Sequence, residues 1–224
     1  MVAVGGGRFS RDRSVGLFGR RLVQLHVGLV LYGASMSLQV RSELGLDPWD
    51  VFHQGVSEHV GLRFGTITII VGAAVLLLWI PLRQRPGLGT VSNVIVIGVV
   101  VNITLDMLPT LDSLALRWVF LVAAVLLNGV ATGCYIGAGL GPGPRDGLMT
   151  GLAARGHPIR LVRTGIEVTA LVAGFLLGGT VGVGTVLYAV CIGPLAHVFI
   201  PALTIRPRPV TPAIAATPTT PAEP

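Results

Sequence analysis

Six runs of about twenty mostly apolar residues dominate this sequence: Leu22–Val40, Phe64–Leu82, Thr90–Leu108, Trp118–Ile136, Leu161–Leu177 and Thr185–Leu203. A run of that length crosses the hydrocarbon core of a bilayer as an α-helix. Only 12% of the residues are charged, about half the share found in soluble domains. The mean hydropathy of +0.78 agrees. So little polar surface cannot cover a water-facing globule, and the expected fold class is an all-α membrane protein with six transmembrane helices. The first run exceeds the 7–15-residue apolar core of a cleaved signal and is expected to remain part of the protein.

All 16 basic residues are arginine, and the net charge is +6. A basic balance raises the question of nucleic acid, but the arginines flank the apolar runs and no nucleic-acid motif accompanies them. Thirteen fall in alternate connecting segments: residues 1–21, the second-to-third connection, the fourth-to-fifth connection and the tail. Arg41, Arg63 and Arg117 occupy the intervening segments. Positive charge accumulates in cytoplasmic loops, so both termini are expected in the cytoplasm.

"GLDPWDVFHQG" (45–55) and "GPGPRDGLMTG" (141–151) repeat one polar clause 96 residues apart. Pro48, Asp50 and Gly55 align with Pro144, Asp146 and Gly151, and Arg21, Gly33 and Leu44 align with Arg117, Gly129 and Leu140. After one deletion, "GLGTV" around Gly89 aligns with "GVGTV" around Gly184. The Gly, Pro and Asp matches carry the weight, because they mark turns, helix starts and close backbone approaches. Each copy holds three apolar runs, an odd number, so the second copy enters the membrane from the opposite face. The expected architecture is two inverted three-helix repeats, residues 21–110 and 117–203. A basic, Gly-rich cytoplasmic lead (1–20) precedes them, and a Pro/Thr-rich disordered cytoplasmic tail (204–224) follows. Net charge supports the inversion: region 41–63 carries −2 and its counterpart 138–163 carries +3.

Within the clause, Asp47 has the character of an N-cap and Pro48 of a first helical residue, with Asp50 near the free backbone N–H groups. Gly143, Pro144 and Asp146 follow suit. A short amphipathic or re-entrant helix is expected after each: Asp50–Val60 and Asp146–Arg155.

The stretches "GLDPWDVFHQGVS", "PLRQRPGLGTVSNVIVIG", "GAGLGPGPRDGLMTGLA" and "IRLVRTGIEV" with "VGVGTVLYAVCIGP" resemble the YczE-like bacterial membrane proteins, the YczE/YyaS/YitT group. The likeness runs from about Arg21 to Pro201. It implies a protein of the bacterial cytoplasmic membrane and no particular chemistry.

Ionisable groups inside apolar runs are costly and mark pathways or paired structural sites. Glu167 is such a group, with Arg163 one helical turn before it. The pair either stabilises the cytoplasmic end of the run or lines a polar path. Asp50 and His53 share a helix face and suit a proton relay or cation site, unless Asp50 only caps and His53 is exposed. Asp146 has the same two readings, with Arg145 and Arg155 available to pair. Asn102 and His197 occupy similar places in the third and sixth runs, and Asn128 and His26 lie in the fourth and first. Polar groups of this kind commonly join membrane helices. Cys134 and Cys191 suit apolar packing.

No metal site, cofactor site or catalytic constellation emerges from these residues, and the chain is expected not to be an enzyme. The function expected is secondary transport or permeation of an unidentified small solute between the repeats. The helix starts at Pro48 and Pro144 would then face a bound anion. The other reading is a membrane partner that recruits or regulates a cytoplasmic enzyme or an export system.

Overall fold

The computed structural model describes residues 6–205, and these form an all-helical bundle. The elements are α1 (Gly6–Ser42), α2 (Pro48–Val60), α3 (Phe64–Leu77), α4 (Trp79–Leu82), α5 (Leu88–Met107), α6 (Leu114–Gly137), α7 (Pro144–Ala153), α8 (Ile159–Leu176) and α9 (Val183–Leu203). Five segments are long and apolar enough to cross a membrane: Gly16–Ser42, Phe64–Leu82, Leu88–Met107, Leu114–Gly137 and Val183–Leu203. α8 covers the remaining expected run but carries Arg160, Arg163 and Glu167 in its first half. α1 starts at Gly6, so the helix extends well into the basic lead ahead of the first expected run. The Pro/Thr-rich tail beyond Ile205 lies outside the described residues. Large apolar side chains such as Leu77, Ile80, Met107, Leu176 and Val190 point outward, as suits a bundle whose solvent is lipid.

α1 and α6 form the central antiparallel pair; α5 packs on α1 and α9 on α6. Lipid provides little hydrophobic drive between helices, so small residues that admit close backbones decide where they cross. A Cβ on Gly28 would lie 2.7 Å from the Tyr135 nitrogen, and one on Gly33 would lie 2.9 Å from the Ile97 carbonyl. Gly129, the counterpart of Gly33, meets Leu195 in the same way at 2.8 Å.

α2 and α7 fold back from the ends of α1 and α6. Gly45 and Gly141 make these reversals at φ of 115° and 127°, a region glycine alone enters cheaply. Each reversal also ties down the free N-terminus of a neighbouring helix. The Gly184 N–H donates to the Leu44 carbonyl at 2.7 Å, and the Gly89 N–H donates to the Leu140 carbonyl at 2.8 Å. Thr185 and Thr90 accept from the Gly182 and Gly87 N–H groups, each at 3.2 Å. α3 and α4 form one apolar run broken at Leu78, because Pro81 has no N–H to offer the preceding turn.

The two ends of the bundle differ in charge. At one end Arg21 donates to the Ile205 carbonyl, joining the start of α1 to the end of α9. Arg155 donates to the Pro81 carbonyl there, joining the ends of α7 and α4. At the other end Arg117 pairs with Glu43 at 2.8 Å, and Arg63 pairs with Asp106.

Gly184→Ala would place a Cβ 2.5 Å from the Gly45 carbonyl, an overpacking expected to cost about 1–3 kcal/mol. Gly165→Ala, with nothing within 4 Å, is the matched control. Thermal unfolding in detergent should show a clear fall for the first and none for the second.

Candidate functional site

The N-terminal ends of α2 and α7 approach one another inside the bundle. Asp47 caps α2: its Oδ1 accepts from the Trp49 N–H at 2.9 Å and the Asp50 N–H at 3.1 Å. The α2 terminus expected to face an anion is therefore filled by the chain's own carboxylate. Asp50 does not cap. It turns inward, completely buried, with its Oδ1 3.1 Å from His53 Nδ1. His53 is also buried, against the edge of Phe64, which removes the exposed alternative for this residue.

Arg145, in the first turn of α7, reaches across to α2. Its guanidinium lies 3.7 Å from both Asp47 Oδ1 and Asp50 Oδ1 and 5.2 Å from the centre of the Trp49 ring. These separations exceed direct hydrogen-bond lengths. Asp47 Oδ2, Asp50 Oδ2 and Trp49 Nε1 are buried with no hydrogen-bond partner. Neither basic residue expected beside Asp146 pairs with it: Arg145 turns to α2 and Arg155 to Pro81. Instead Asp146 accepts from the Tyr135 hydroxyl at 2.8 Å.

A cavity of about 400 Å³ opens beside these termini, bounded by α8 and α9. Tyr32, Tyr135 and Tyr188 project into it, as do Asp47, Asp146 and Glu167. Along α9 its wall runs from Tyr188 to Ile200, about 18 Å of helix. Arg163 donates to Glu167 at 2.9 Å on its rim. A second cavity, of about 30 Å³, lies between α3 and α5. It adjoins the large one, sharing Trp49, Asn93, Ile97, Pro144 and Arg145, and its lining residues Thr68, Gly72, Asn93, Val94 and Ile97 stand 95 positions before Arg163, Glu167, Tyr188, Ala189 and Ile192 of the large one. The helices beside them differ in the same sense. α3 crosses α5 closely, with Gly65 against the Gly98 carbonyl. α8 makes no comparable crossing with α9, and Gly193, the counterpart of Gly98, has nothing within 4 Å.

The structure thus brings Glu167, Arg163, Asp50, His53 and Asp146 to or behind one region, and leaves two candidates elsewhere. Asn102 joins α3 to α5: its Oδ1 accepts from the Gly65 N–H at 2.9 Å and its Nδ2 donates to Thr66 Oγ1 at 3.2 Å. His197 is exposed on α9, away from the cavity. The glycines of the clause are packing positions, Gly55 against Gly174 and Leu177, and Gly151 against Gln84 and Leu82. Pro48 and Pro144 are first helical residues, and Pro144 also accepts from Trp79 Nε1 at 3.0 Å. Asn128 donates to Ser35 at 2.9 Å and accepts from the Tyr188 hydroxyl at 3.1 Å, linking α1, α6 and α9. Sequence reasoning missed Trp49 and the three tyrosines. The available signal was that each tyrosine places a hydroxyl inside an otherwise apolar run, where it needs a partner.

Burial pushes Asp47 up to about 7 and Asp50 up to about 6, with Arg145 opposing both. Burial lowers His53 to about 3, and Arg145 adds to the fall. Both carboxyl groups hold a proton more tightly folded than unfolded. Their contribution to stability is complete below the ordinary value of 3.8 and is lost as pH rises through 6 to 7. His53 acts oppositely: its contribution is present above 6.5 and fades as pH falls toward 3. Two groups outweigh one, so the thermal midpoint in detergent should rise when pH falls from about 7.5 to about 5.5. In Asp47→Asn the remaining pair nearly cancels, and the midpoint should stay flat over that range.

This is an all-helical integral membrane protein with a polar, charged cavity among its spans. The chain belongs to a family of unknown function, DUF6198, whose pattern matches residues 19–201. It is 41% identical over 173 residues to an uncharacterized protein of Haemophilus influenzae, covering 77% of this chain and 79% of that one. It is 34% identical over 177 residues to the uncharacterized membrane protein YczE of Bacillus subtilis, covering 78% and 82%. It is 26% identical over 182 residues to the uncharacterized protein YyaS of the same organism, covering 78% and 90%. No solved structure matches it.

Proposed function

We propose that this protein is a carrier for a small solute in the bacterial cytoplasmic membrane, rather than an enzyme. It is built from two inverted three-helix repeats with α8 as the sixth crossing. The pair of unequal cavities carries this reading. Two sites with matching linings, about 400 Å³ and about 30 Å³, are the same site held open in one repeat and closed in the other. Inverted repeats provide alternating access by exchanging such conformations around a shared site. In the exchanged state α8 would close on α9 while α3 parts from α5. The polar groups of α2 and α7 stay between them in both states. The large cavity reaches Ile136 and Ile200, near the ends of α6 and α9. Those ends lie at the arginine-rich end of the bundle, which the positive-inside bias assigns to the cytoplasm together with both termini.

Two experiments test this. The first concerns orientation, with Cys134 and Cys191 replaced by Ala. Arg83→Cys and Arg155→Cys should resist a membrane-impermeant maleimide in intact cells, and Glu58→Cys should react. Reaction of Arg83→Cys and Arg155→Cys from opposite faces would end the inverted arrangement.

The second concerns flux. Liposomes holding the full chain are offered labelled choline, acetate, alanine and glucose, and at least one should cross by a saturable route. A Cβ on Gly72 would lie 3.7 Å from Val94 Cβ, within the range a disulfide requires. Oxidised Gly72→Cys/Val94→Cys should therefore lock α3 to α5 and cut flux at least tenfold, with recovery on reduction. Absence of flux, together with a soluble protein that co-purifies stoichiometrically, would replace the carrier by the recruiting partner.

A further inference from the structure

We propose that the solute is a small organic cation, an alkylammonium or quaternary ammonium, bound in the large cavity. This proposal rests on the carrier reading and adds the chemical class.

Aromatic faces supply the first part of the argument. The chain has three tyrosines, and all three line this cavity, from α1, α6 and α9. Trp49 lines it as well, and Tyr32 stands edge-on to Tyr135 with ring centres 6.0 Å apart. Aromatic faces attract cations through the ring quadrupole, most strongly where water is excluded. Trp49 already receives Arg145 in this way, so the cavity holds one cation–aromatic contact before any ligand arrives.

Charge supplies the second part. Asp47, Asp146 and Glu167 line the cavity, and Asp50 lies just behind it. Among the described residues two arginines face these four carboxyl groups. Arg163 is bonded to Glu167, and Arg145 is shared between Asp47 and Asp50. Asp146 has a tyrosine hydroxyl and no arginine. Asp47 is 2% exposed, and its Oδ2 has no hydrogen-bond partner. An ammonium entering between Asp146 and Asp47 supplies the missing counter-charge and presents its alkyl groups to the tyrosine rings. A free carboxylate or phosphate entering there would meet excess negative charge, and the α2 terminus is already capped by Asp47.

Calorimetry on the full chain in nanodiscs tests the class. The probes are the chlorides of methylammonium, tetramethylammonium and choline, the uncharged choline isostere 3,3-dimethylbutan-1-ol, and sodium acetate. At least one ammonium salt should bind saturably, and choline should bind at least tenfold more tightly than its isostere. Asp146→Asn should weaken ammonium binding at least tenfold with its thermal midpoint retained. Tyr32→Leu should weaken it several-fold through loss of the ring. Should Asp146→Asn not fold, Glu167→Gln, on the rim, takes its place with a several-fold loss expected. Equal binding of the isostere, tighter binding of acetate, or binding of none of the three ammonium salts overturns the proposal. Ammonium binding without liposome flux overturns the carrier and leaves the ligand class standing. Flux of acetate or glucose without ammonium binding does the reverse.

Discussion

Arg145 and the two carboxylates it faces set the terms for the rest of the molecule. A charge buried among apolar helices is tolerated only with partners, and breaking such a group costs far more than never forming it. Arg145 belongs to α7, while Asp47 caps α2 and Asp50 lies in its first turn. The pairing therefore requires both short helices to turn inward and meet end to end. Gly45 and Gly141 make the turns possible. Trp79 against Gly147 on one side, and Gly174 against Val51 and Phe52 on the other, hold the short helices in place. Trp49 and Arg145 occupy equivalent positions of the repeated clause and stack on one another. The two occurrences of the clause thus carry complementary side chains where they touch.

The two halves of the chain differ around the cavities. Elsewhere the Gly184 and Gly89 N–H groups hold the Leu44 and Leu140 carbonyls in the same way. Around the cavities, Thr68, Gly72 and Asn93 stand 95 positions before Arg163, Glu167 and Tyr188. The small residues accompany a closed crossing and the large polar ones an open space.

Much of the fold was legible in the amino-acid order. Hydrophobic run length is a local property, and five of the six expected runs coincide with helices long and apolar enough to cross a membrane. The caps were also legible, because Asp47-Pro48 acts on backbone groups only two or three residues away. The site was legible only in fragments. Asp50 beside His53 was legible, because the two stand one helical turn apart. Arg145, which also faces Asp50, sits 95 residues later in the chain. Tyr32, Tyr135 and Tyr188 come from three different helices and share no motif, so nothing local joined them.

By itself, the sequence determined that this chain lives in lipid, where α2, α3 and α7 begin, and that its polar clause was written twice. Those properties follow from hydropathy, capping and glycine or proline geometry, all short-range in the chain. Tertiary structure alone decided that the two clauses meet, that Arg145 abandons Asp146 for Asp47 and Asp50, and that one cavity is large while the other is small. Burial and charge pairing between distant segments depend on which helices touch, and no local pattern encodes that.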